Sequence, residues 1–324
     1  MTQSPTKYRK ERRRKSTFRR FMKTTLLVFT LFILLGSGTI AYMAMQLNQA
    51  TSSAQLDLER GDRSEIREEP VNPGKDSVSI LFLGLDDHTG ELTGRSDAIM
   101  LATFNAEERS VKMLSIPRDS RVEIPGRGMD KINHAHAYGG IDMAVDTVEN
   151  LLDIPVDYFT TLNFIAFMEV VDTLGGVEVD VPFAFTEMDS EDNPGAIRIE
   201  EGIQTLDGEE ALAYARMRKS DPQGDIGRGD RQKDLLESMI REAASFSTIT
   251  RFGSLMDSLE THMKTNLGFG NIVSMHNYAT SMGDIEQLTI DGQNSMVNGI
   301  FFYELNQESL QNVKATLKTH LQLD

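Results

Sequence analysis

Hydrophobic residues form one long run near the N-terminus, and many short runs follow it after residue 77. The long run, Leu26 to Met45, consists mostly of Leu, Ile, Val, Phe, Ala and Met, with a Gly36-Ser37-Gly38 break. About 20 residues of α-helix cross the roughly 30 Å hydrocarbon core of a bilayer. The pattern therefore predicts a single transmembrane helix over residues 24–46.

The short runs predict strands that alternate with helices. Continuous short apolar runs are typical of buried strands, and apolar residues at three- and four-residue spacing are typical of helices. We expect strands at 78–83, 98–104, 111–116, 159–162 and 177–181, and helices at 142–152, 164–174, 208–218 and about 231–246. We expect an acidic loop over 184–202, and further helices with one strand near 286–290 in the tail. This interleaving indicates an α/β domain of about 240 residues.

Composition excludes several classes of protein. The 324 residues include no Cys, which excludes a disulfide framework, thiolate zinc sites, iron–sulfur ligation and a cysteine nucleophile. Lys and Arg number 33 against 49 Asp and Glu, for a formal charge of -16. Because a general nucleic-acid binder needs a basic surface, we expect no nucleic-acid partner.

The charge is divided by the predicted membrane helix. Residues 1–23 carry ten basic side chains and one acid, Glu11, for a net charge of +9, which leaves -25 on the rest of the chain. A basic cluster directly before an apolar span places the N-terminus in the cytoplasm. We therefore expect a single-pass type II protein of the cell membrane. Its parts are a cytoplasmic tail (1–23), the helix (24–46), an extracellular stalk (47–76), a catalytic domain (77–246) and a C-terminal part of the extracellular domain (247–324).

Two other interpretations of the N-terminus are open. Gly36-Ser37-Gly38 has the small residues of a signal-peptide cleavage site, although the apolar run continues beyond it to Met45. The basic segment could instead bind nucleic acid. A basic cluster that abuts an apolar run of this length is more typical of a membrane anchor.

Arg and Asp are concentrated in three segments that follow apolar elements. The side chains in question are Asp86, Arg95 and Asp97, then Arg118 and Asp119, then Arg216, Arg218, Arg228 and Gln232. Arg binds phosphate through two parallel hydrogen bonds, and carboxylate oxygens are the ligands that Mg²⁺ prefers. Together the segments predict a site for a metal-bound phosphate or pyrophosphate. The alternative is a set of surface ion pairs between neighbours, which contribute little to stability.

Several stretches, in a shared order, are similar to one family of bacterial envelope proteins. They read GRSDAIMLATFN (94–105), VKMLSIPRDSRVEIPG (111–126), DKINHAHAYGG (130–140), TLNFIAFMEVVDTLGGVEVDVPF (161–183) and LDGEEALAYARMRKSDPQGDIGRGDRQ (206–232). With the predicted anchor, the region from Ile80 to about Ile240 closely resembles the LytR–CpsA–Psr family. About the last 80 residues lie outside the resemblance.

The resemblance implies a fold and an activity. The fold would be a three-layer αβα domain with a central mixed sheet and an apolar cleft for a lipid tail. The activity would be a Mg²⁺-dependent phosphotransferase reaction outside the membrane. It would move a glycopolymer, such as wall teichoic acid or capsule, from a polyprenyl-pyrophosphate carrier to peptidoglycan. The product would be a phosphodiester at N-acetylmuramic acid, with release of polyprenyl phosphate.

The resemblance also implies roles for individual residues. Asp86 and Asp97 would position Mg²⁺. The pyrophosphate would be bound by Arg95, Arg118, Arg216, Arg218, Arg228 and Gln232. We expect catalysis to involve Arg95, Asp97, Arg118 and Asp119, because arginines stabilise the charge that grows on the leaving phosphate and an aspartate could orient the attacking hydroxyl.

Alternatives remain open at several points. The same arginines and Mg²⁺ would serve a hydrolase with water as acceptor. The other class of function is a non-catalytic envelope regulator of the transcriptional attenuator type.

His134 and His136 could bind the acceptor, although we expect structural roles. We expect Gly175-Gly176 to form a turn, and the acidic loop 187–192 to be solvated rather than to bind a cation.

Overall fold

A computed structural model describes residue 45 and residues 55–85, 92–218, 221–222, 225–243, 262–275 and 285–323. The chain divides into two units, Met1–Leu47 and Asn48–Asp324. Apart from Met45, the predicted transmembrane helix lies outside the described residues. Within the described ranges, no helix is long and apolar enough to cross a membrane.

A six-stranded mixed sheet forms the centre of the second unit. Its strands, in spatial order, are β11 (Met263–Thr265), β6 (Tyr158–Asn163), β1 (Val78–Leu85), β2 (Ser96–Asn105), β3 (Ser110–Ser115) and β12 (Glu286–Leu288). β1 pairs parallel to β6 and antiparallel to β2, with a register shift at Gly84/Leu85. β12 joins β3 in parallel, whereas β11 is antiparallel to β6.

Helices surround the sheet. They are α1 (His134–Leu152), α2 (Phe164–Leu174), α3 (Gly208–Arg216), α4 (Asp225–Ala243), α5 (Phe269–Ser274) and α6 (Gln307–His320). Four two-stranded sheets accompany them: β4 (Arg121–Ile124) with β5 (Gly128–Lys131), β7 (Val177–Val181) with β10 (Gly202–Leu206), β8 (Phe185–Glu187) with β9 (Ile197–Ile199), and β13 (Gly292–Val297) with β14 (Ile300–Leu305).

The alternation of side chains along β1 separates two cores. Leu81 and Leu83 point to one face, where they share a cluster with residues of α1 and α6. Ile80 points to the opposite face, and partly buried Leu236 of α4 packs against its cluster. Helices therefore cover both faces of the mixed sheet, in agreement with the α/β class that the sequence predicts.

The turn predicted at Gly175-Gly176 is present. Both glycines have positive φ, 97° and 98°, and the backbone N–H of Gly175 closes the C-terminus of α2 onto Val171 and Asp172. A Cβ on Gly176 would lie 2.9 Å from the Leu206 carbonyl oxygen. The pair is needed for the turn into β7 and does not line the cleft described below.

The structure corrects one sequence prediction outside the central sheet. The predicted acidic loop 184–202 contains the strands β8 and β9. Within the predicted C-terminal part of the extracellular domain, 247–324, β11 and β12 supply both edges of the central sheet.

Part of the predicted stalk, residues 55–76, packs against the domain. Leu58 is buried in the core that contains α1, and Arg67 forms an ion pair with Asp157 at 2.7 Å. Arg60 similarly pairs with Glu149 at 2.6 Å. These residues belong to the folded body because they bury both apolar surface and charge on it.

Candidate functional site

An apolar cleft of about 500 Å³ lies between the central sheet and helices α2, α3 and α4. Its apolar lining comes from the sheet face opposite α1 and from the facing sides of those helices. Representative residues are Phe82, Met100, Leu162, Phe167, Leu235 and Met239. A cleft of this size and lining suits a hydrocarbon ligand.

Charged residues line the same cleft. They are Asp97, Arg118, Glu187, Arg216, Arg218 and Arg228, accompanied by Gln232. Asp97 is the second residue of β2 and Arg118 follows β3, so neighbouring antiparallel strands bring the two together. Asp97 Oδ2 accepts a hydrogen bond from Arg118 at 2.5 Å. The cleft therefore combines an apolar interior with a group of arginines, as a lipid with an anionic head group requires.

Asp119 lies beneath these arginines and holds them in place. Its carboxylate is 8% exposed and accepts a hydrogen bond from Lys131 at 2.6 Å, while nitrogens of Arg118 and Arg218 lie 3.7 Å and 3.8 Å away. Burial opposes ionisation, but the hydrogen bond and charge of Lys131 and the charges of both arginines hold the pKa of Asp119 below its usual value. Asp119 is therefore ionised at neutral pH and does not itself line the cleft.

Arg216 and Arg218 point to different partners. α3 ends at Arg216, and Met217 adopts an extended conformation with ψ of 129°. Arg216 donates to Asp192 at 2.8 Å and to the Asp189 carbonyl at 3.2 Å, whereas Arg218 faces Asp119. The acidic loop is thus tied to the rim of the cleft by Arg216.

Buried Arg231 supports this segment, although the sequence did not single it out. Its guanidinium donates to the Tyr214 carbonyl at 3.0 Å, to the Met217 carbonyl and to Asp221. Lys131 is the other residue that sequence reasoning missed. Lys131 lies within the DKINHAHAYGG stretch and Arg231 within GRGDRQ. The sequence pointed to them only because both stretches belong to the segments that resemble the LytR–CpsA–Psr family.

The predicted site residues do not all meet. Arg95 is exposed and lines no part of the cleft, and Asp86 lies outside the described residues. Asp97, Arg118, Arg218, Arg228 and Gln232 converge. Among the residues that the structure describes, no group of three or more His, Asp or Glu is placed to hold a metal ion.

The two histidines of α1 have separate structural partners. His134 Nδ1 lies 3.0 Å from Asp130, and His136 Nδ1 lies 2.9 Å from the Gly94 carbonyl oxygen. Burial lowers the pKa of His136, partly opposed by that hydrogen bond. Neither ring lines the cleft, so the geometry agrees with the structural roles expected for them.

Comparison with known proteins places this arrangement in a family. The model of the LytR_cpsA_psr family matches residues 41–319. TagT of Bacillus subtilis (strain 168), a polyisoprenyl-teichoic acid–peptidoglycan teichoic acid transferase, is 41% identical over 96% of this chain and 97% of its own length. The TagU transferase of Halalkalibacterium halodurans is 40% identical over 93% of this chain and all of its own length.

Solved structures agree in fold. TagT bound to LIIa-WTA is 42% identical, with a TM-score of 0.71 over 82% of this chain and 99% of that chain. TagT with bound octaprenyl pyrophosphate lipid is 40% identical, with a TM-score of 0.67 over 82% of this chain and 99% of that one. On its sequence, its fold and the residues of its cleft, the chain belongs to the LytR–CpsA–Psr family.

Proposed function

We propose that this protein transfers an anionic glycopolymer of the wall teichoic acid kind from a polyprenyl-pyrophosphate carrier to peptidoglycan. The observation that carries the proposal is the apolar cleft that also bears Arg118, Arg218 and Arg228. The relatives named above are teichoic acid transferases, and solved TagT structures hold a lipid-linked polymer or a polyprenyl pyrophosphate. The polyprenyl tail would occupy the cleft, with its pyrophosphate against the arginines.

The proposed reaction is a phosphoryl transfer. The acceptor hydroxyl oxygen, on N-acetylmuramic acid of peptidoglycan, forms a bond to the phosphorus attached to the saccharide. The bond from that phosphorus to the bridging oxygen breaks, and polyprenyl phosphate leaves with the electron pair. The negative charge that grows on the leaving phosphate is stabilised by the guanidinium groups, which are already held in place before the substrate arrives.

The geometry favours Asp97 over Asp119 as the group that orients the attacking hydroxyl and takes its proton. Asp97 lines the cleft and is 24% exposed, whereas the Asp119 carboxylate is buried beneath three cations. Its lowered pKa further weakens Asp119 as a proton acceptor. We assign Asp119 the role of positioning Arg118 and Arg218.

We propose Mg²⁺ as the cofactor. Asp97 offers hard carboxylate oxygen at the charged part of the cleft, and Asp86 is the second ligand that the sequence indicates. When bound, Mg²⁺ would neutralise phosphate oxygens. Asp119 is unsuited as a ligand because its oxygens already face Lys131 and two arginines.

The substrates imply a location in the cell envelope. A polyprenyl carrier lies in the membrane and peptidoglycan lies outside it, so we propose that the N-terminal residues 24–46 anchor the enzyme with its catalytic domain outside. The net charge of +9 on residues 1–23 supports this orientation.

The proposal is tested with purified protein, Mg²⁺, a polyprenyl-pyrophosphate-linked saccharide and peptidoglycan oligomers. We expect saccharide to become attached to the oligomers, and Arg118→Ala to lower transfer by about 100-fold or more, because the arginine stabilises charge in the transition state. Arg198→Ala is the matched control, since Arg198 is 71% exposed and lies outside the cleft. Release of free saccharide phosphate without transfer would identify a hydrolase and contradict the proposal.

A further inference from the structure

A second cavity lies against the charged wall of the first. It measures about 420 Å³ and shares Asp97, Arg218, Arg228 and Gln232 with the apolar cleft. About half of its remaining wall comes from the C-terminal region, which contributes the polar residues Gln287, Thr289, Gln293, Asn294 and Tyr303. The ionic groups therefore separate a lipid-lined space from a space lined by amides and hydroxyls.

The β13–β14 hairpin is fixed to the arginines and is part of the site. The backbone N–H of Tyr303 donates to the carbonyl oxygen of Asp119 at 2.9 Å. The guanidinium carbon of Arg218 lies 5.8 Å from the centroid of the Phe301 ring. Glu304, which follows Tyr303 in β14, accepts a hydrogen bond from Arg121 at 3.2 Å. These contacts set the position of Gln293 and Asn294 relative to the phosphate-binding groups.

The chemistry of the second cavity suits a sugar chain. Amide side chains both donate and accept hydrogen bonds, as hydroxyl and acetamido groups of a saccharide require. Buried Ile99, Ile116 and Ile290 also line the cavity and add apolar surface beside the amides, which suits the apolar face of a sugar ring. The exposed carboxylate of Asp230 lies on the same wall and disfavours a strongly anionic polymer.

Transfer requires two substrates on opposite sides of one phosphorus atom, with the attacking and leaving oxygens roughly in line. If the donor lipid fills the apolar cleft, the acceptor must approach Asp97 from elsewhere, and the second cavity opens on Asp97. We infer that this cavity is the subsite for the acceptor saccharide of peptidoglycan and that the β13–β14 hairpin determines acceptor binding. This inference rests on the proposed transferase function and assigns the acceptor to a region outside the segments that suggested the family.

The first measurement is binding of a peptidoglycan oligomer to the full chain in detergent micelles, without donor, by calorimetry. The double variant Gln293→Ala/Asn294→Ala should weaken binding roughly five- to tenfold, as expected from the loss of one or two hydrogen bonds. Both side chains are exposed, so the fold should tolerate the change. Met296→Ala is the matched control, because Met296 lies on the same strand, is 64% exposed and does not line the cavity.

The second measurement is the rate of transfer at varied donor and acceptor concentrations. The double variant should raise KM for the oligomer by a similar factor and leave KM for the lipid donor and the kcat unchanged. Unchanged oligomer binding in the double variant would overturn the inference, and so would an equal rise in both KM values. A wild-type protein that binds the oligomer through Gln293 and Asn294 yet transfers nothing would contradict the proposed function alone.

Discussion

At the scale of single residues, Asp119 positions the arginines of the site although it does not itself line the cleft. One buried carboxylate faces Lys131, Arg118 and Arg218, and these three cations would otherwise repel one another. The arginines can then meet an incoming phosphate without first being reorganised. The energetic benefit of such preorganisation appears in the transition state, where the phosphate charge increases.

Asp119→Asn tests this role. The amide keeps the shape of the side chain but loses its charge, so we expect kcat for transfer to fall about 10- to 100-fold, through loss of preorganised charge. The free energy of unfolding should fall by about 2 kcal/mol, the scale of a charged hydrogen bond. Steady-state kinetics and urea unfolding measure the two effects. Glu200→Gln is the control, since its exposed pair with Arg198 lies outside the cleft and its loss should leave kcat and stability nearly unchanged. An unchanged kcat in Asp119→Asn would contradict a positioning role.

His320 makes stability depend on pH. The ring is buried, with Nδ1 2.8 Å from Thr103 Oγ1 and Nε2 2.8 Å from Ser110 Oγ. Burial, aided by nearby Lys112, lowers the pKa of His320 to about 4. In the unfolded chain its pKa is about 6.5, so protons bind the unfolded state more strongly between pH 4 and 6.5. Stability from this group is present above pH 6.5 and is lost as the pH falls.

Between pH 7 and pH 5 this linkage should reduce the free energy of unfolding by about 2 kcal/mol. His320→Gln should remove most of that difference, as urea unfolding at the two pH values would show. His136, whose pKa is also lowered by burial, should leave a smaller residual slope. The stability that the lowered pKa of Asp119 provides is fully present above about pH 4 and is lost only in more acidic solution, so Asp119 adds nothing to the slope between pH 7 and pH 5. An identical slope in His320→Gln and wild type would contradict this assignment.

At the scale of elements, prediction succeeded where burial determines the pattern. β1, β2 and β3 are nearly continuous apolar runs because helices cover both faces of the sheet, and such runs are readable from sequence. β8, β9 and β13 were missed because they are short or polar and lie at the surface. Their pairing partners, rather than their own composition, make them strands.

Prediction of the site from sequence was limited in the same way, because some of its contacts depend on residues far away in the chain. The resemblance implied that Arg95, Arg118, Arg216, Arg218 and Arg228 serve one anion, and the structure brings all of these except Arg95 to the cleft. The sequence could not predict that Arg216 turns to Asp192, since this depends on the backbone at Met217. Nor could it predict the hairpin as part of the site, because the contact between Tyr303 and Asp119 joins segments far apart in the chain.

At the scale of the whole molecule, the charge of -16 combines +9 at residues 1–23 with -25 beyond them. The acidic remainder would repel an anionic polymer over long distances, but the Debye length is about 8 Å at physiological salt. A few arginines held together by one buried carboxylate can therefore dominate locally. The distribution of charge, rather than its sum, is what would permit this acidic protein to bind the proposed pyrophosphate.

The folded body extends upstream of the central sheet, and Arg67 is the residue that fixes this extension. Its guanidinium donates to both oxygens of Asp157, at 2.9 Å and 2.7 Å, and to the Ser77 carbonyl at 2.9 Å. The Asp157 side chain is only 2% exposed and also accepts from the backbone N–H of Ser79. Removing Arg67 would thus leave a buried carboxylate without its cation.

Arg67→Ala should lower the free energy of unfolding by about 3 kcal/mol, the lower end of the cost of breaking a buried ion pair, because Asp157 keeps its hydrogen bond to Ser79. Urea unfolding of the purified protein measures the change. Arg63→Ala is the matched control, since exposed Arg63 donates to the backbone carbonyls of residues 67 and 68 and not to a buried carboxylate among the described residues. Equal stability of the two variants would mean that residues 55–76 are a stalk after all. A selective loss in Arg67→Ala would instead show that the folded body includes residues 55–76.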